Sequence, residues 1–129
     1  KWERMAPQLF KDLPRCEFYD YTKNPRRVGQ LLPNYWVTLS RSEENDSSCI
    51  RALQNKKNVA VVFNTGGLSM SGATKTYELP ETWNGYPVVN GDDTDARFDD
   101  PRGGHVIGLK LKSPCWDKHN KATESGFAV

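Results

Sequence analysis

The run Asn58-Val59-Ala60-Val61-Val62-Phe63 constrains this chain more than any other segment. After Asn58 it is wholly apolar and lacks the alternation that a strand with one wet face shows. Such a strand must be covered on both sides, and parallel sheets supply that environment. The run is too short to be a core helix, and its β-branched content favours a strand. It therefore predicts the centre of a sheet, with elements on either side in sequence supplying the cover.

The flanking segments fit that requirement. Cys16-Glu17-Phe18-Tyr19-Asp20-Tyr21 reads as a strand rich in aromatics, and Tyr35-Trp36-Val37-Thr38-Leu39-Ser40 as a second. Asp46 or Ser47 can cap a helix through Cys49, Ile50 and Leu53 to about Lys56, and Lys56 and Lys57 suit its negative end. Trp2, Met5, Leu9, Phe10 and Leu13 make one helical face, kinked or begun at Pro7 and ended by Pro14. Val28 to Leu32 is read as a single helical turn. Tyr86 to Val89 reads as a short edge strand in which Pro87 is acceptable, and His105 to Lys112 as the last strand. The alternation of helix and strand is the pattern of βαβ winding. The expected fold is α/β, with a short parallel βαβ sheet that suits half of a (β/α) barrel. Residues 1–112 are read as one domain and residues 113–129 as a weakly structured tail.

Composition closes off several functions. The 129 residues hold 18 basic against 16 acidic side chains, a net charge of +2 too balanced to predict nucleic-acid binding. No apolar run approaches the roughly 18 residues of a membrane span. The opening Lys-Trp-Glu-Arg is not a signal peptide and lacks Met, so the chain is read as a piece of something longer, placed in the cytoplasm. Cys16, Cys49 and Cys115 form neither a disulfide framework nor a zinc pair, and Cys16 and Cys49 are read as reduced core residues.

In α/β sheets ligands gather at the carboxyl ends of strands. Tyr21-Thr22-Lys23 follows the first strand, Ser40-Arg41-Ser42-Glu43 the second, and Asn64-Thr65-Gly66-Gly67 the third. Parallel strands bring these clusters to one rim. Lys23, Arg41, Glu43, Asn64 and Asp92 are thus the candidate ligand-binding residues: Lys23 and Arg41 to hold an anion, Glu43 and Asp92 as acid, base or counter-charge. Backbone N–H groups at Gly66 and Gly67 suit an anion nest. The bland alternative is that strand ends are polar because they meet water. Asp92-Asp93-Thr94-Asp95 and Asp99-Asp100 lack the offsets of a calcium loop and are interleaved with Arg97 and Arg102, so no metal is expected. His105 and His119 have no zinc spacing, and Cys115 with His119 is read as an incidental pair. His105, ahead of a strand, belongs at the opposite rim. No Walker, nucleophile-elbow or Rossmann fingerprint is present, and no cofactor is expected.

Five segments carry a family resemblance: Phe18 to Lys23, Leu32 to Glu43, Asn58 to Phe63, Leu79 to Asp92, and Val106 to Lys110. Together they resemble the C-terminal half of a family of phage and bacterial proteins. That family is similar in pattern to phage gene-product proteins with a partial (β/α) barrel, distantly like the radical SAM barrels. The Cys and Ser-Gly-Asp motifs of the upstream half in fuller relatives are absent here. The resemblance implies a fold and a phage-encoded protein of the host cytoplasm, but no activity. Three functions stay open. The leading one is binding a protein partner, or self-association, or completing a larger barrel. The second is an enzyme or a nucleotide- or phosphate-binding protein using the strand-end rim. The third is nucleic-acid binding through Arg26, Arg27, Lys56 and Lys57 with Tyr35 or Trp36 nearby.

Overall fold

A computed structural model describes residues 2–68, 74–76, 78–112 and 116–129. Its elements in chain order are α1 (Trp2–Met5), α2 (Pro7–Asp12), β1 (Phe18–Thr22), β2 (Gly29–Leu32), β3 (Tyr35–Ser40), α3 (Asp46–Gln54), β4 (Val59–Phe63), β5 (Gly66–Leu68), β6 (Thr74–Thr76), β7 (Thr82–Trp83), β8 (Tyr86–Asn90), β9 (Val106–Lys110) and α4 (Trp116–Glu124). A 3₁₀ turn at Pro25–Arg27 follows β1.

Seven strands form one sheet in the order β1-β3-β4-β9-β8-β7, with β2 also on β3. The contacts of β1, β3, β4, β9 and β8 along this path are all parallel. Short β2 and β7 are antiparallel to their neighbours. The apolar run is β4, and it is central. The sheet is open, with β1 and β7 at its two ends, and does not close into a barrel among the described residues. β5 and β6 form a separate hairpin pair.

Alternation sorts the side chains. Leu39, Val59, Val61, Phe63 and Val106 share one face, where Cys49, Ala52 and Leu53 of α3 cover them. Burying Leu53 alone contributes about 2 kcal/mol. Farther along the same face, Phe10 of α2 packs on Tyr35 and Val37, with ring centroids of Phe10 and Tyr35 4.9 Å apart. The opposite face carries Tyr19, Trp36, Tyr21 and Thr38 at paired register positions of β1 and β3. Ala60 and Ile107 continue it on β4 and β9. Because β8 and β9 are parallel, residues 91–105 must travel back along the sheet between them; they do so without a helix.

Four expectations are corrected. Val28 to Leu32 is not a helical turn. Gly29 has φ 117°, a conformation for which glycine is suited, and Gly29–Leu32 pairs with β3 through an irregular register. The last residues are not a weakly structured tail: Trp116–Glu124 is helical, Ala128 is buried, and Val129 exchanges backbone hydrogen bonds with Val62 and Asn64 of the β4 segment. A helix with polar residues at most positions gives little periodic signal, and backbone pairing gives none. Cys16 is exposed ahead of β1, whereas Cys49 is buried and donates from Sγ to Asn45 Oδ1 at 3.3 Å. Cys115 lies outside the described residues. The residue ahead of α3 is Asn45, not Asp46 or Ser47. No helix among the described residues is long and apolar enough to cross a membrane.

A polar node ties the N-terminal segment to the sheet. Asn34 is buried, and its Nδ2 donates to the carbonyls of Phe10, Leu13 and Cys16 at 3.0–3.2 Å. One side-chain amide thus meets the carbonyls that α2 and the following turn leave open.

Candidate functional site

The parallel topology sets Lys23, Arg41 and Asn64 at the carboxyl ends of β1, β3 and β4, on one rim, with Asp92 after β8 on the same rim. His105 precedes β9, at the opposite end. Although the rim residues gather by topology, their chemistry is largely taken up within the chain. Arg41 is buried to 6% exposure. Its Nε and Nη2 donate to the two carboxylate oxygens of Asp46 at 2.7 and 3.3 Å, and its Nη1 donates to the carbonyls of Gly126 and Phe127 at 2.6 and 2.9 Å. The guanidinium therefore holds the entry to α3 and the last residues of the chain together.

The counter-charge for Arg41 is Asp46, not Glu43, which is exposed. Lys23 sits 6.0 Å from the centroid of the Phe127 ring, at the outer limit of a cation–π contact. Asn64 donates its backbone N–H to Val129. Asp92 accepts from the Lys110 backbone N–H at 2.9 Å and pairs with Lys112 at 2.8 Å. Burial works to raise the Asp92 carboxyl, but the Lys112 hydrogen bond and the Lys110 N–H outweigh it and hold it below its usual range. Gly66 and Gly67 lie in β5, paired to Thr76 and Lys75, rather than in an anion nest.

Sequence reasoning missed the C-terminal segment at this rim. Its contribution is backbone carbonyls, which any residue can supply. It also missed Asp46 as the partner of Arg41, having read it as a helix cap.

A second polar cluster stands at the other end of β4. There β3 changes neighbour: Gly29 of β2 pairs with Val37, while Val59 of β4 pairs with Leu39. The gap opens into a cavity of about 120 Å³ lined by Val28, Gly29, Trp36, Val37, Thr38, Lys56, Lys57, Asn58, Arg97, Asp100, Arg102 and Gly103. Lys57 Nζ donates to the Val28 carbonyl at 2.8 Å. Arg102 lies over the Trp36 ring at 3.5 Å from its centroid.

Arg97 is buried at 4% exposure. Its Nη2 donates to the Gly91 carbonyl at 3.0 Å and also to the Thr94 carbonyl. Its Nε is 3.5 Å from Asp100 Oδ2, yet Nε, Nη1 and that oxygen have no hydrogen-bond partner. Burial pushes the Asp100 carboxyl up, against the pull of Arg97. Burial likewise raises the Tyr21 phenol, with Arg97 and Asp100 acting on it in opposite directions.

Gly91 makes room for this arrangement. A Cβ there would lie 2.9 Å from Arg97 Nη1 and 2.5 Å from Ile107 Cγ2. Among the described residues no group of acidic, His or Cys side chains is placed to hold a metal ion.

Fold and polar clusters together define an open, mainly parallel α/β domain whose carboxyl rim is closed by its own last residues. The family model described as gene product 88 matches residues 1–129, and the chain belongs to that phage-type family. No curated protein and no solved structure matches it.

Proposed function

We propose that this domain works by binding a protein surface on its N-terminal apolar side. The observation that carries this reading is the exposure of four large apolar side chains in one short segment, Trp2, Met5, Leu9 and Leu13. All four are exposed, Met5 to 68% and Trp2 to 54%. Each contributes an apolar side chain to the helical face read from the sequence, but only Phe10 from that face reaches the core. Exposed apolar side chains are ordinary singly; several of them in one short segment mark an interaction surface.

The neighbouring structure supports the same reading. A cleft of about 280 Å³ joins Trp2 and Leu9 to Phe18 and Tyr19 of β1. β1 is the end strand of the sheet, and an end strand offers backbone groups to a partner. The phosphate-binding alternative at the carboxyl rim has less support, because Arg41 donates to Asp46 and two carbonyls there.

The occupant tested first is a second copy of the chain. Light scattering coupled to size exclusion should show concentration-dependent association that Met5→Asp with Leu9→Asp abolishes, with an unchanged circular dichroism spectrum. A monomer at every concentration, behaving the same as the double variant, would count against self-association through this face.

A further inference from the structure

The cavity at the amino end of β4 contains features that the protein-binding reading does not use. We propose that it binds a phosphate group of a nucleotide, free or within a single strand, with the base resting on the adjoining aromatic face of β1 and β3.

The first argument is charge and hydrogen bonding. Arg97, Arg102, Lys56 and Lys57 line the space, with Asp100 as the only carboxylate among its lining residues. Arg97 contributes a buried guanidinium whose Nη1 has no hydrogen-bond partner and whose Nε reaches only Asp100, in an ion pair at 3.5 Å. A buried donor without an acceptor is costly, and a charged one more so, so an acceptor placed beside Nη1 is stabilised. Phosphate oxygens suit a planar guanidinium, while lysines supply mobile point charges.

The second argument is size. The cavity of about 120 Å³ is well above what one water needs and has room for a tetrahedral oxyanion. It opens beside the aromatic face, where an attached base would rest.

The third argument is what lies outside. Trp36 lines the cavity itself. Tyr19 is its register partner on β1, and Tyr21 follows on the same face beside Thr38. Tyr19 and Tyr21 are exposed, with their rings edge-to-face at 6.3 Å. Exposed aromatic rings on a sheet beside a basic groove form a stacking platform for bases. Arg102 over Trp36 adds a cationic plane to that platform.

Calorimetric titration of the intact chain tests this with three probes: inorganic phosphate, 5′-AMP and a twelve-nucleotide oligothymidine. Saturable binding should appear for phosphate, tighten for 5′-AMP, and fall steeply with added salt for the oligonucleotide. Lys56→Ala and Arg102→Ala, both away from the core, should each weaken it by about tenfold. Tyr19→Ala should weaken 5′-AMP and the oligonucleotide while sparing phosphate. No saturable binding of any probe overturns the site. Binding unchanged in both Lys56→Ala and Arg102→Ala overturns the assignment to this cavity. Equal affinity for phosphate and 5′-AMP, unaffected by Tyr19→Ala, overturns the base-stacking part.

Discussion

Two arginines are buried on the same sheet, Arg41 at its carboxyl rim and Arg97 in the crossover beside Gly91, and they differ in what surrounds them. Arg41 meets both oxygens of Asp46 and two carbonyls of the chain's last residues. Arg97 meets the Gly91 and Thr94 carbonyls with one nitrogen and pairs loosely with Asp100 at 3.5 Å, while Nε and Nη1 find no hydrogen-bond partner. The residue type and depth are the same, so neither indicates a role. The number of satisfied donors does. A guanidinium spent on its own chain is a clamp, whereas one with donors in hand beside a basic cavity is a receptor.

The comparison breaks most directly at Arg41. Arg41→Met leaves the carbonyls of Gly126 and Phe127 without their donor and frees Asp46 from its partner. Asp46 is half exposed and regains water, so the cost is about 3 kcal/mol rather than the extreme for a buried pair. Urea denaturation measures it, and a loss no larger than that of Arg97→Met would remove the distinction between the two sites.

Gly91→Ala is expected to come next. The added methyl runs into Ile107, Leu109 and Arg97 together, and overpacking of this kind costs about 2 kcal/mol. The same variant should lose phosphate binding, because Arg97 must shift. Retention of full stability would show that the crossover after β8 has slack here.

Arg97→Met sharpens the contrast from the other side. It removes a charge whose pairing is incomplete and replaces it with an apolar side chain of similar length. Asp100 loses its buried partner, but its carboxyl, already pushed up by burial, can take a proton, so the protein alone should lose about 1.5 kcal/mol, while phosphate no longer raises its melting temperature. A large destabilisation with no effect on binding would make Arg97 a second clamp.

The smallest expected effect is at Lys56, which has φ 57°. It follows α3 at the position where helices commonly end on glycine, and the Lys56 and Lys57 N–H groups close the helix onto Leu53 and Ala52. Lys56→Gly should stabilise the fold by about 0.5 kcal/mol and weaken phosphate binding at the same time. Improvement of both would detach Lys56 from the site.

Much of the scaffold was legible in the sequence, for reasons that differ by segment. Val59 to Phe63 could be placed at the centre because a wholly apolar strand admits little else. Tyr35 to Ser40 and Phe18 to Tyr21 were visible through aromatic and β-branched content. Parallel topology then carried Lys23, Arg41 and Asn64 to one rim without any contact being known. What the sequence could not show was how their donors were used. The partners of Arg41 include carbonyls some 85 residues away, and a carbonyl has no sequence signature. The Arg97 cavity was hidden for a related reason. Its residues come from β3, the end of α3 and the helix-free crossover, and none of those segments contains a motif. Arg97 and Arg102 were noted only as neutralising the nearby aspartates. The sequence puts Lys56 and Lys57 in one basic patch with Arg26, Arg27 and Tyr35 or Trp36; the structure brings Lys56, Lys57 and Trp36 to this cavity, whereas Arg27 pairs with Glu3 and Tyr35 is buried against Phe10.

Cys49 gives the clamp a clock. Burial, with the Asp46 carboxylate, pushes its thiol up to about 11 while Arg41 acts the other way, and α3 closes it against the sheet. At neutral pH an alkylating reagent meets almost no thiolate and no open path. Modification must wait for α3 to lift, so its rate counts excursions of that one helix rather than unfolding of the whole chain. Cys16, exposed ahead of β1, reacts at once and serves as the zero of time on the same molecule. Asn45 and Asp46 begin the helix that Arg41 holds, so the interval between the two modifications reads directly how long that grip lasts.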